Sequence, residues 1–201
     1  MGKIVRKGKL ISFEGPDGCG KSTQLKLLER ALRKEGYPVV VTREPGGTRF
    51  GTTIRSMLLD PKNTGLSERA ELFLYLADRA QHVKEIIEPA LKLGKIVLVD
   101  RYLDSTWVYQ GHGRGFPLDL ITLCNLFAVG GLLPDLTVIF DLKAEEGLAR
   151  LGVTNRDRME SQSLAFHRRV REGFHALEKK FPLRVVKLDA RETPGQIHHK
   201  V

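Results

Sequence analysis

From Gly15 to Thr23 the chain reads G-P-D-G-C-G-K-S-T, which sets Gly15, Gly20, Lys21 and Ser22 at the spacing G-x-x-x-x-G-K-S. A triphosphate needs that order: the glycines let successive backbone N–H groups turn inward around the β-phosphate, the lysine reaches the β and γ oxygens, and the serine hydroxyl ligates Mg²⁺. A carboxylate stands at Asp100, closing the apolar run I-V-L-V-D and followed by Arg101. Such an acid either closes a nucleotide site, holding Mg²⁺ directly or through water, or caps the next turn. Tyr75 and Arg79 are four apart and share a helical face. They suit stacking and hydrogen bonding to a nucleobase, and equally a core-edge tyrosine beside a surface arginine. Arg150, Arg156 and Arg158 surround Gly152 where no apolar face persists. That stretch is either a solvated charge run or a flap that excludes water and stabilises charge on a transferring phosphoryl group.

These groups need strands and helices to hold them. Strands are expected at about 9–14, 39–42 (V-V-V-T), 96–100, 136–141 (L-T-V-I-F-D) and 183–188 (L-R-V-V-K-L). The short β-branched apolar runs among them suit strands buried on both faces. A helix over 22–34 follows the glycine loop with Leu25, Leu28 and Leu32 on one side, so its N-terminus points at the same phosphates. Arg43-Glu44-Pro45-Gly46-Gly47-Thr48 is a turn at a strand's carboxyl end, where open α/β sheets bind ligands. Arg55 lies on a different face from Ile54, Met57 and Leu58, either solvated or aimed at the crevice. A helix over 67–88 starts at a Ser67 cap and is expected to end at Pro89. Ser105 to Gln110 offers hydroxyls, a phenol and an amide within two turns, and Gly111 to Gly115 reads as a flexible segment with His112 as a surface residue. A helix over 163–181 packs Leu164, Val170, Phe174 and Leu177, while Ile197 to Val201 is too short for a metal site despite His198 and His199. Strands alternating with helices predict a three-layer α/β/α sandwich on a parallel sheet, a single domain over residues 1–201 with a flap at about 144–160.

At 201 residues the chain can bury one sizeable core. Cys19 and Cys124 form neither a C-x-x-C nor a metal spacing, which favours a reducing interior. No signal or membrane-spanning stretch is evident, so the expectation is a soluble, cytoplasmic protein with no membrane partner. The net charge of +9 raises nucleic-acid binding, but the basic residues are scattered and lack interleaved aromatics, so no nucleic-acid partner is expected. An N-K-x-D guanine motif is absent, which argues against a GTPase switch.

Four stretches together carry a family resemblance: F-E-G-P-D-G-C-G-K-S-T (13–23), T-R-E-P-G-G-T (42–48), A-D-R (77–79) and D-R-Y-L-D-S-T-W-V-Y-Q-G (100–111). Over nearly its whole length the chain resembles thymidylate kinases of the nucleoside-monophosphate kinase group. That resemblance implies a P-loop NTPase fold with sheet order 2-3-1-4-5, homodimers, and transfer of the γ-phosphoryl of ATP to dTMP with Mg²⁺. It implies ATP contacts from Gly15, Pro16, Asp17, Gly18, Cys19, Gly20, Lys21, Ser22 and Thr23, with the metal at Ser22 and Asp100. It places Asp17, Arg55, Tyr75, Arg79, Arg101, Thr106, Tyr109 and Gln110 on the acceptor, Tyr75 against thymine and Tyr109 against the sugar. Lys21, Arg101, Arg150 and Arg158 would serve the transfer itself, and Glu160 the metal. Eukaryotic relatives carry an arginine where this loop has Gly18, so the flap arginines are expected to supply that charge here, as in bacterial or archaeal types.

Overall fold

The computed structural model describes residues 8–152 and 156–201. Strands β1 (Lys9–Glu14), β2 (Val39–Arg43), β3 (Ile96–Asp100), β4 (Leu136–Asp141) and β5 (Val185–Asp189) form a parallel sheet ordered β2-β3-β1-β4-β5, the expected order. Side chains alternate along β1, so Ile11 and Phe13 face one way and Leu10 the other. The first side packs Phe13, Val138 and Phe140 against Leu25 and Leu28 of α1 (Lys21–Lys34) and Ile197 of α9 (Pro194–Lys200). On the second side, Leu10, Val97 and Val99 meet Val83, Ile87 and Leu91. There too, Ile139 and Val185 meet Trp107, Val170 and Phe174. Both faces are therefore covered, as an all-parallel sheet requires. Register decides where the site forms. Phe13 lies opposite both Asp100 and Val138, so the loop leaving β1 and the acid ending β3 emerge side by side.

The remaining helices are α2 (Arg49–Leu59), α3 (Glu68–His82), α4 (Glu88–Lys92), α5 (Leu103–Thr106), α6 (Leu118–Ala128), α7 (Ala144–Leu151) and α8 (Leu164–Lys180). Several boundaries differ from expectation. The helix begun at Ser67 does not stop at Pro89: a π turn at Val83–Ile87 leads into α4, where Pro89 occupies the first turn. The wider π spacing accommodates the missing N–H of proline, and Gly94 ends the run instead. β5 starts at Val185 because the Val185 N–H bonds back to the Phe181 carbonyl at 3.0 Å, leaving Leu183 fully exposed on a turn. Gly111 to Gly113 is not a flexible segment but part of a π-helical run, Trp107–Gly113. Its glycines allow close packing: a Cβ at Gly113 would lie 2.7 Å from the Phe166 ring. His112 is held against Trp107, ring centroids 4.9 Å apart, rather than free in a loop. α9, unrecognised in the sequence beyond Ile197, starts with a Thr193/Gln196 capping box. Residues 153–155 of the expected flap lie outside the described residues.

Candidate active site

The loop after β1 turns on glycines with left-handed backbone, Gly15 at φ 136° and Gly18 at φ 74°. A Cβ on Gly18 would sit 2.3 Å from the Gly147 carbonyl oxygen, so loop and α7 meet backbone to backbone with no room for the arginine of eukaryotic relatives. α1 begins at Gly20 with no side-chain cap and no acid in its first turn. The positive end of its dipole is thus not neutralised by a side chain, which suits an anion there. The Lys21 ammonium, nearly buried, donates to the carbonyls of Gly15 (3.2 Å) and Pro16 (3.0 Å). Ser22 Oγ donates to Asp100 Oδ2 at 2.8 Å, bringing the two expected metal ligands together. Among the described residues no cluster of three or more acids, histidines or cysteines could cage an ion. A hydroxyl and one carboxylate beside a phosphate loop fit Mg²⁺ shared with a nucleotide, which keeps water and phosphate oxygens in its shell.

Across the loop opens a cavity lined by Asp17, Arg55, Tyr75, Arg79, Arg101, Thr106, Tyr109 and Gln110, all eight expected acceptor residues. Arg101 is the one non-glycine among the described residues with positive φ, 68°. Its guanidinium donates to the Gly15 carbonyl at 3.0 Å, pairs with Asp17 and lies over the Tyr109 ring, 5.0 Å from its centroid. Tyr109 donates its hydroxyl to Asp17 Oδ2 at 3.1 Å. Burial alone would lift the Asp17 carboxyl, but Arg101 and Lys21 hold it below the usual range, so it is an anion. Arg55 donates to the Pro45 carbonyl at 2.9 Å, on the cavity side of α2.

Arg79 is 1% exposed, so it is no surface residue. It donates to Glu44 Oε2 (2.8 Å), Thr106 Oγ1 (2.8 Å), Asn125 Oδ1 (2.9 Å) and the Tyr102 carbonyl (3.1 Å). Glu44 also bonds His82 Nδ1 at 2.8 Å. Gln110 donates to the fully buried Glu71, which also takes two guanidinium groups, from Arg114 and Arg158. Sequence reasoning passed over Glu44, Glu71, Arg114 and Asn125 as site residues. Glu71 had one available signal, its place one turn before Tyr75 on the same helical face. Asn125 had none, because α6 reaches Arg79 only through the fold.

The flap arginines separate. Arg150 reaches the loop, its guanidinium 3.5 Å from the Gly18 carbonyl and 3.3 Å from that of Ala190. Arg156 folds back on the carbonyls of Leu148 and Gly152. Arg158 is buried, bonded to the Leu58 carbonyl (2.7 Å) and to Glu71 (2.7 Å), and is not brought to the loop. Met159 and Glu160 do line the cavity.

A glycine loop opening the helix of a β-α-β unit, with a strand-end aspartate beside it and a cationic cavity opposite, defines a phosphate-loop phosphotransferase. Residues 13–201 match the family model described as thymidylate kinase. The thymidylate kinase of Thermoanaerobacter sp. (strain X514) is 48% identical over 195 residues, covering 97% of this chain and 96% of that one. That of Nitratidesulfovibrio vulgaris (strain DSM 19637 / Miyazaki F) is 50% identical over 199 residues, covering 95% and 93%. The crystal structure of thymidylate kinase from Ehrlichia chaffeensis superposes with a TM-score of 0.76 at 38% identity, covering 90% of this chain and 92% of that one. The chain belongs to the thymidylate kinase family. It is a kinase, built to move a phosphoryl group.

Proposed function

We propose that the protein transfers the γ-phosphoryl of ATP to the 5′-phosphate of dTMP, giving ADP and dTDP. One observation carries the reading: Lys21 from the loop side and Arg101 from the cavity side converge on the same Gly15 carbonyl oxygen, at 3.2 and 3.0 Å. A donor phosphate at the loop and an acceptor phosphate in the cavity would meet between these cations. Phosphoryl transfer needs alignment and charge neutralisation rather than a strong base. Lys21 exchanges its two carbonyls for phosphoryl oxygens. Arg55 and Arg101 grip the acceptor phosphate, Tyr75 stacks on the base, and Arg79, Thr106 and Gln110 face its polar edge. Arg150 covers the donor phosphates from the flap, whereas Arg158 serves the transfer only by leaving Glu71. Ser22 and Asp100 would hold Mg²⁺, which would supply charge neutralisation at the donor's phosphates.

An ADP-release assay with Mg-ATP and a panel of dTMP, dUMP, AMP, CMP and GMP tests the reading, with strong preference for dTMP expected. Activity on another nucleotide alone would discard the base-site roles. Tyr109 gives a narrower expectation. With the sugar seated against Tyr109, whose hydroxyl is held by Asp17, Tyr109→Phe should narrow the preference for dTMP over its ribonucleotide by about tenfold, the worth of one hydrogen bond to a charged group. Unchanged discrimination would remove that role.

We also infer a homodimer in a cytoplasmic setting, where Cys19 and Cys124 stay free. Leu120, Leu123 and Phe127 form an exposed apolar stripe on α6, with Phe73 exposed on the neighbouring α3. A patch of that kind marks an interaction surface. Phe127→Glu should turn a sedimenting dimer into monomers, and a wild-type chain sedimenting as a monomer would refute the dimer.

A further inference from the structure

We propose that Glu14 is a positioning residue for the reaction, a buried carboxyl that shapes the turn from Arg101 to Ser105 and thereby aims the Arg101 guanidinium at the mouth of the phosphate loop. The inference rests on the kinase reading above and adds to it a residue that touches neither nucleotide.

Glu14 is the last residue of β1, immediately before Gly15, and is fully buried. Both its oxygens are spent on the turn that follows the neighbouring strand: Oε1 accepts the Tyr102 backbone N–H at 2.7 Å, and Oε2 is hydrogen-bonded to the Ser105 hydroxyl at 2.6 Å, accepting from it as a carboxylate and donating to it when protonated. The residue held between Asp100 and that turn is Arg101, whose left-handed backbone is otherwise costly for a side chain with a Cβ. The Arg101 N–H is fixed in addition by the Phe13 carbonyl at 3.0 Å. From there the guanidinium returns to the loop, donating to Ser105 Oγ at 3.2 Å and to the Gly15 carbonyl at 3.0 Å. A closed circuit results, Glu14 to Ser105 to Arg101 to Gly15, and Glu14 is covalently joined to its last member. The carboxyl therefore fixes the turn from which Arg101 reaches the loop.

Among the described residues no cation bonds Glu14 directly. The charged groups around it are Arg101, Asp104 of α5, and Arg184 beside β5; Asp104 is already occupied by Arg184 (2.7 and 2.8 Å) and by Thr137 (2.8 Å). Burial, with Asp104 adding to it, pushes the Glu14 carboxyl up to about 8, so near neutrality it is largely a neutral acid. Glutamine reproduces that state: its oxygen can accept from Tyr102 N–H while its amide donates to Ser105. Raising the pH through about 8 charges the wild-type residue, sets an anion behind Arg101 and weakens the hold on the acceptor's phosphate.

The test compares wild type, Glu14→Gln and Glu14→Ala in kcat and in KM for dTMP and ATP, at a temperature where each is folded, from pH 6 to 9. Glu14→Ala should lose about 10²-fold in kcat/KM for dTMP, the scale of a misplaced catalytic group, with the KM for ATP little moved. Glu14→Gln should remain near wild type at pH 7 and lack the alkaline fall in kcat/KM that wild type shows. A Glu14→Ala enzyme with wild-type kcat/KM and only a lower Tm would overturn the proposal, and so would a Glu14→Gln enzyme as impaired as the alanine variant. If the alanine chain does not fold, the glutamine profile decides: an alkaline limb identical to wild type overturns it. Wild-type turnover of dTMP in the same assay separates these failures from a failure of the kinase reading.

Discussion

Replacing Lys21 by alanine is expected to cut turnover about 10³-fold at saturating ATP and dTMP while leaving the Tm nearly unchanged, the scale seen when one preorganised charge-stabilising donor is removed. Lys21 is 8% exposed and, among the described residues, hydrogen-bonds loop carbonyls and, at 3.6 Å, the Cys19 sulfur; Asp17, whose charge it helps to hold, keeps its direct partner Arg101 when the lysine goes. Folding therefore sacrifices little. The reaction sacrifices much, because charge spreads onto the phosphoryl oxygens as it passes between donor and acceptor, and this ammonium is placed where it arrives. Lys21→Arg should fail to restore the rate: a planar fork is larger than the compact charge that fits between the Gly15 and Pro16 carbonyls. The measurement is steady-state turnover beside thermal melting. Near-normal turnover in the alanine variant would refute the assignment of the loop to the transferred group.

How much of this was legible beforehand follows from the range over which each feature is determined. β1, β3 and β4 have the bounds read from sequence because each is a short apolar run flanked by turn residues, the pattern of a strand covered on both faces. The glycine loop was legible since its chemistry depends on neighbours in sequence. The end of the α3 run is hidden in the sequence because proline ordinarily terminates a helix, whereas a π turn six residues earlier changes the hydrogen-bond spacing it meets. Gly111 and Gly113 were misread because glycine marks both a flexible chain and a close approach, and only the position of Leu118 and Phe166 tells them apart. In the site, residue types announced which groups carry charge but not which are free to use it. Arg150 and Arg158 look alike in the flap, yet one reaches Gly18 and the other is tied to Glu71 of α3, far in sequence from any cue in its own segment. Glu14 lies within a recognised motif, and its contacts with Tyr102 and Ser105 appear only in the fold.

Arg79→Ala should produce the second large effect, in two separable parts. The first is structural. Arg79 and Glu44 are paired at 2.8 Å with side chains only 2% exposed, so removing the guanidinium leaves a buried carboxylate facing His82 alone and withdraws partners from Thr106 and Asn125. Breaking such a pair costs about 3–5 kcal/mol, and for a chain of this length that lowers the Tm by roughly 10 °C. The second part is functional: the KM for dTMP should rise far more than the KM for ATP, because Arg79 lines the acceptor cavity and bonds nothing in the loop. A double variant, Arg79→Met with Glu44→Gln, separates them. Removing both charges relieves the uncompensated burial, so the double variant should melt well above Arg79→Ala, whereas the acceptor KM should stay high since the guanidinium is still missing. Equal increases in both KM values, in either variant, would show that Arg79 supports the fold without recognising the acceptor, and would leave Tyr75, Thr106 and Gln110 to select the base.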